Sequence, residues 1–247
     1  MNELDLFRVA WWKWWGNPML GIHADHVSSL PFVDIASAAD ITDYFKLIQV
    51  RSHFELPDVP DQAATSNHSI LAATLARPDQ ISAHLTNLAV LTLSSGIIHA
   101  RPAEWQAKYG VESADEIRKI IEHFRAIPQA LSTWHHCAPA HLPEESNFGL
   151  EQRAVLGLGV FLRTFFPSIY QRWALTQSYD LLKAVKQLEP FRDIHWNEIM
   201  AWLEAGFTSL SDEITAAYQE AKIELNENEI EEFTPLDIDA LYGVHDA

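Results

Sequence analysis

The sequence predicts an all-α protein, an irregular multi-helix bundle, and three observations carry that expectation. Glycine is scarce at 9 of 247 residues and proline modest at 12, so long stretches run without backbone punctuation. Ala, Leu, Ile, Glu and Gln, which favour helix over sheet, are abundant; the straight-chain ones lose little rotamer freedom in a helix. Apolar residues recur at spacings of three and four along most of the chain, the period of one helix face. A hydrophobic content of 48% supplies core for one large domain or two small ones.

The first 38 residues are the least regular part. Four tryptophans in AWWKWWGNP (Ala10 to Pro18) are followed by Gly21 and Pro31, and the segment reads as short turns with a single helical turn. Ala39 to Phe54 predicts a helix with Ile41, Tyr44, Phe45 and Ile48 on one stripe. It ends before LPDVPD, where Pro57 and Pro60 exclude regular helix. A helical region from Thr65 to Ala100 divides at Arg77-Pro78, proline suiting a first-turn position. Its second part carries Ile81, Leu85, Leu88 and Leu91 as one stripe. Ser113-Ala-Asp-Glu116 is a capping-box pattern at a helix start. The stripe behind it, Ile117, Ile121, Phe124, Ile127, Leu131 and Trp134, predicts a kink or break at Pro128.

Cys137 to Ser146 (CAPAHLPEES) reads as a loop, Phe148 to Phe166 as the most apolar helix, and Pro167 as the start of another. From Ile194 onward Trp196, Met200, Leu203, Phe207, Leu210, Ile214, Tyr218 and Leu225 form a long stripe on an acidic surface. Residues 204–247 hold twelve acidic residues against Lys222 alone. These features divide the chain into a helical body, 1–190, and an acidic amphipathic helical extension, 191–247, packed on the body.

Charge narrows the function classes. With 34 acidic and 17 basic residues the formal net charge is -17, a field that repels phosphate backbones and anionic headgroups, so neither nucleic acid nor a membrane surface is expected as partner. The single cysteine, Cys137, forms no internal disulfide, and the start of the chain lacks the pattern of a secretory signal; a reducing cytoplasm is the expected location. The apolar windows Leu85 to Ile98 and Val155 to Phe166 are interrupted before the roughly 20 residues a membrane helix needs.

Candidate chemistry is sparse. His135-His136-Cys137 with His141 offers zinc-type ligands, but consecutive residues diverge and neither a paired C-x-x-C nor a helical H-x-x-x-H is present. A polar loop at a helix end is the expected reading. His23-Ala-Asp25-His26 places two imidazoles and a carboxylate within four residues, which suits either a metal or acid/base site or a capped turn, the turn being preferred. A small helical metal-dependent hydrolase would draw on His23, Asp25, His26, His135 and His141. Leu156-Gly-Leu-Gly159 lies inside a helix with no preceding strand, so its small residues predict close helix approach rather than phosphate binding. No G-x-S-x-G elbow or Walker pattern occurs. The expectation is a non-enzymatic interaction protein with no catalytic residue, no cofactor and no metal.

Three segments carry a family resemblance. Asn17-Pro-Met-Leu-Gly-Ile-His-Ala-Asp-His-Val-Ser-Ser-Leu-Pro31 resembles the opening P-A-x-Y-x-H-x-S-x-L-P of the SctK family (YscK, PscK and OrgA type), the cytoplasmic accessory subunit of type III secretion sorting platforms. Ile70 to Arg101 is similar to that family's leucine-rich helix, Pro break and L-x-x-L-G-x-x-L-H-x-x-x-L-R run. Gly157 to Leu175 resembles its closing G-x-x-x-L-x-x-x-x-x-P-x-x-x-x-R-x-x-L signature. The resemblance implies a helical adaptor linking the cytoplasmic domain of the SctD-type inner-membrane ring protein to the SctQ-type pod protein, peripheral to the membrane. A secretion chaperone or regulatory binder using the C-terminal helix is the alternative.

Exposed aromatics would anchor such partners at low conformational-entropy cost. The candidates are Trp11, Trp12, Trp14, Trp15, Trp196 and Phe207. In a helix Trp11, Trp14 and Trp15 share one face and Trp12 points elsewhere; in a strand Trp11 and Trp15 oppose Trp12 and Trp14. Most of the N-terminal indoles are expected to clamp the segment to the body, with one or two left for docking.

Overall fold

The computed structural model describes residues 6–30, 44–142, 148–192 and 196–224, and every regular element among them is helical. In chain order these are α1 (Leu6–Gly16), α2 (Ala24–Val27), α3 (Tyr44–His53), α4 (Gln62–Thr65), α5 (His68–Leu75), α6 (Pro78–His84), α7 (Thr86–Leu91), α8 (Pro102–Tyr109), α9 (Ala114–Arg125), α10 (Gln129–Cys137), α11 (Leu150–Phe165), α12 (Pro167–Ala174), α13 (Tyr179–Gln187) and α14 (Trp196–Glu224). Two 3₁₀ turns, Ser95–His99 and Ala138–His141, join them. The fold is all-α and multi-helical. No described helix is long and apolar enough to cross a membrane.

The centre is α11, which is buried nearly all round from Ala154 to Leu162. A helix can sit that deep only where neighbours come close, and the two glycines supply the approach. A methyl built on Gly157 would lie 2.5 Å from the Leu88 carbonyl oxygen, and one on Gly159 2.8 Å from Val185 Cγ2. So α7 crosses at the first glycine, and α13, with Trp173 of α12, presses on the second. The sequence expectation of helix approach at Leu156–Gly159 matches this packing.

The long helix α14 spans about 44 Å at 1.5 Å per residue and lays Ile199, Leu203, Phe207, Leu210 and Ile214 into the same core cluster as α11. Gly206 meets the His84 carbonyl at the end of α6. Polar bonds fix the register: Glu213 accepts from Gln80 Nε2 at 2.7 Å and pairs with His84 at 2.5 Å, and His68 Nδ1 lies 2.8 Å from Ser211 Oγ. The boundary expected at 190/191 therefore falls between helices that share one core. Residues 225–247, most of the acidic tail, lie outside the described residues, as do Ile41 and the first residues of the helix expected from Ala39.

Several local expectations are adjusted. The N-terminal segment, expected as turns, holds an eleven-residue helix instead, because Phe7, Trp11, Trp14 and Trp15 at i, i+4, i+7 and i+8 bury one face on the body. The single stripe expected over Ile81 to Leu91 is split at Leu85 (φ -114°, ψ 38°), although Ile81, Leu85, Leu88 and Leu91 are all buried. The break at Pro128 is present between α9 and α10, and Ser113 Oγ accepts from the Glu116 N–H at the start of α9. The loop expected from Cys137 begins instead as the end of α10 followed by a 3₁₀ turn.

Candidate functional site

The Trp-rich segment is built around a helix end that cannot satisfy itself. Lys13 carbonyl accepts from Asn17 N–H at 2.9 Å, but the next acceptor, the Trp14 carbonyl, faces Pro18, which has no N–H. Arg172 of α12 replaces the missing donor: its Nε donates to Trp14 O at 2.9 Å and its Nη2 to Asn17 O at 3.0 Å and Leu20 O at 2.8 Å. The guanidinium also stacks 4.2 Å above the Trp14 ring. Trp15 O is taken by Arg51 Nη1 at 3.1 Å. Two cations thus complement the negative end of the α1 dipole.

Arg172 is 0% exposed, and its Nη1 has no hydrogen-bond partner. Burial, with a smaller contribution from Arg51, pushes its pKa down to about 9, still charged at neutral pH. The same device recurs. Arg153 donates to Thr92 O at the end of α7 and to Phe148 O, and Arg163 donates to Val185 O and Leu188 O at the end of α13. These arginines hold helix ends together, a role the apolar stripes gave no sign of. The visible signal was Pro18 directly behind a helical run, which leaves a carbonyl in need of a donor.

Against this frame the candidate anchors sort by burial. Trp11, Trp14, Trp15 and Phe207 are in the core, and Trp11 Nε1 donates to Thr74 Oγ1 at 3.0 Å. Trp196 is half-buried among Phe161, Phe165 and Phe166. Trp11, Trp14, Trp15 and Phe207 spend their rings on the core of the chain itself, and Trp196 keeps part of its surface. Trp12, at 40% exposed, is the indole that turns outward. The helical geometry explains the sorting, since 12 lies off the 11/14/15 face.

His23-Ala-Asp25-His26 forms a clip between α2 and α13. His23 Nδ1 accepts from Asp25 N–H, the turn-capping arrangement, and the His23 main-chain N–H donates to Leu175 O at 2.8 Å. Asp25 Oδ2 accepts from Tyr179 N–H at 2.9 Å, capping α13, and His26 Nε2 donates to Gln177 O at 2.9 Å. His135 is buried with its Nε2 on Leu93 O at 3.0 Å, while His136, Cys137 and His141 are exposed. Among the described residues no group of three or more His, Cys, Asp or Glu side chains could hold a metal ion. His23, Asp25 and His26 lie at α2, His135 in α10, and His141 at the exposed end of the following 3₁₀ turn.

Burial lowers the pKa of His26, His123 and His135 from the ordinary 6.5, partly opposed at His26 and His135 by their backbone bonds. A base whose folded pKa is depressed binds fewer protons folded than unfolded, so stability is full above 6.5 and falls as pH drops through 6.5 toward the folded values. The thermal midpoint should therefore fall between pH 7.5 and pH 5.5. His135→Gln keeps a donor for Leu93 O and removes one titrating group, and should make the fall shallower in a scan across that range; an unchanged slope would exclude His135 from it.

Of the three segments that carry the family resemblance, the last touches the other two. Arg172 donates to Asn17 O and Leu20 O, the His23 main-chain N–H donates to Leu175 O, and Gly157 abuts Leu88, so segment 157–175 touches both 17–31 and 70–101 through the residues described. A scan against protein-family models, a search of curated proteins and a search of solved structures each find no match.

Proposed function

We propose that the chain is a non-enzymatic helical adaptor of the SctK type, joining the cytoplasmic domain of an SctD-type ring protein to an SctQ-type pod protein of a type III secretion sorting platform. The observation that carries the reading is that one of the three resembling segments is packed directly on the other two. Segments picked out by sequence pattern alone, separated by up to 155 positions at the Asn17–Arg172 bond, are joined by direct bonds and by a glycine crossing. That is what a family whose motifs are packing patterns would preserve. The His23, Asp25, His26 and His135 side chains each bond a main-chain group near a helix end. Trp12 offers a rigid aromatic contact outside the core.

Purified chain mixed with the SctD-type cytoplasmic domain and the SctQ-type pod protein should co-elute on size exclusion. Trp12→Ala should weaken that association by about tenfold, with the thermal midpoint unchanged. Separate elution of all three folded proteins would reject the reading; a large loss of stability in Trp12→Ala would return that indole to a structural role.

A further inference from the structure

We propose that the cleft between α2 and α13 is a docking site for a short acidic segment of a partner protein that carries one aromatic or aliphatic anchor residue. The cleft has a volume of about 410 Å³ and is lined by His26, Tyr179, Leu182, Lys183, Lys186 and Gln187. The five α13 residues fall at i, i+3, i+4, i+7 and i+8, a single helix face, while Leu181, Ala184, Val185 and Leu188 bury the opposite side. The wall supplied by α2 is fixed: Asp25 caps α13 at Tyr179, and the His26 ring stands edge-on to Tyr179 at 4.7 Å. Tyr179 is left 47% exposed above the nearly buried Leu182, an apolar seat for one side chain.

The charge of the cleft runs against that of the molecule. The chain carries a net -17, and Arg153, Arg163 and Arg172 are turned inward onto carbonyls, yet Lys183 and Lys186 are both exposed and neither is in an ion pair among the described residues. Asp25, the carboxylate on the opposing wall, is engaged with the Tyr179 N–H and lies near His23. Two ammoniums one turn apart beside an apolar seat match carboxylates flanking a single anchor. An extended polyanion or an anionic bilayer would meet the repulsive field of the whole surface, whereas a short acidic stretch meets the cleft alone. The proposal stands on this geometry and does not depend on the secretion reading.

The test is fluorescence anisotropy of the full chain against fluorescein-labelled dodecapeptides, each with four Asp or Glu residues around one Phe, Leu or Ile. Saturable binding is expected for at least one, weakened roughly tenfold or more in K183E/K186E and in Tyr179→Ala, and unchanged in Lys108→Glu. The neutral pair K183Q/K186Q gives the same reading should charge reversal impair folding. A peptide with Gly in place of the anchor should bind more weakly. Absence of saturable binding, or binding indifferent to the lysine variants, overturns the proposal. So does lysine-dependent binding of phosphatidylserine vesicles or inorganic phosphate where every peptide fails. Tighter peptide binding after Glu227, Glu229, Glu231 and Glu232 are replaced by Gln would assign the cleft instead to this chain's own C-terminal residues.

Discussion

Replacing Arg172 with Leu should destabilise the protein by about 3 kcal/mol and release the Trp-rich segment from the body. The substitution removes the donors to the Trp14, Asn17 and Leu20 carbonyls, and the first of these has no alternative because Pro18 follows the helix. Buried acceptors left without partners cost about 1–3 kcal/mol each. Part of that loss is offset, since burying a guanidinium with an unpartnered Nη1 and no carboxylate is itself unfavourable. The stacked contact with Trp14 goes as well. Arg172→Lys keeps the charge but loses the planar fork, and one ammonium reaches fewer of the three acceptors, so an intermediate loss of about 2 kcal/mol is expected. Urea titration followed by tryptophan emission reads both effects, because Trp11, Trp14 and Trp15 leave the core when the junction opens. Midpoints equal to the parent protein in both variants would mean the junction does not hold the segment.

Gly157→Ala should destabilise the core by about 3 kcal/mol through overpacking. In an exposed helix the same change would gain about 1 kcal/mol, alanine being the better helix former. Here the added methyl would sit 2.5 Å from Leu88 O and 2.9 Å from Leu88 C and Cβ, so backbone, not a flexible side chain, would have to move. The α7–α11 crossing would open by something like an ångström, and the dispersion contacts of Leu85, Leu88 and Leu158 would open with it. Gly96→Ala is the control, since its methyl meets nothing nearer than Ser94 Oγ at 3.8 Å. Calorimetry should show a clear drop in midpoint for the first variant and little change for the second. Equal midpoints would show that the two helices have room to part.

Much of the fold was legible where one physical signal dominated. The apolar stripes marked α9, α10, α11 and α14, the prolines marked their ends, and the glycine pair marked the crossing. What was not legible depended on partners distant in the chain. Tryptophan is a middling helix former, so α1 could be recognised only once a body existed to receive Trp11, Trp14 and Trp15. The split at Leu85 is invisible to periodicity because both halves bury the same side chains. Nothing local in the sequence names the carbonyls that Arg51, Arg153, Arg163 and Arg172 meet. The His23–His26 cluster read correctly as a capped turn, yet its attachment to Leu175, Gln177 and Tyr179, about 150 positions away, belongs to the tertiary fold.

The cleft shows the same limit from the other side. Lys183 and Lys186 are ordinary helix residues in the sequence and acquire meaning only when α2 closes a wall beside them. Trp12 differs, because helical geometry alone set it apart from its neighbours.

The adaptor reading is tested most directly by affinity capture of the tagged full chain from cells with an assembled type III secretion apparatus, followed by mass spectrometry. The account predicts enrichment of the SctD-type ring protein and the SctQ-type pod protein, reduced in Trp12→Ala at equal abundance. Capture of neither protein by a folded chain in actively secreting cells would contradict it.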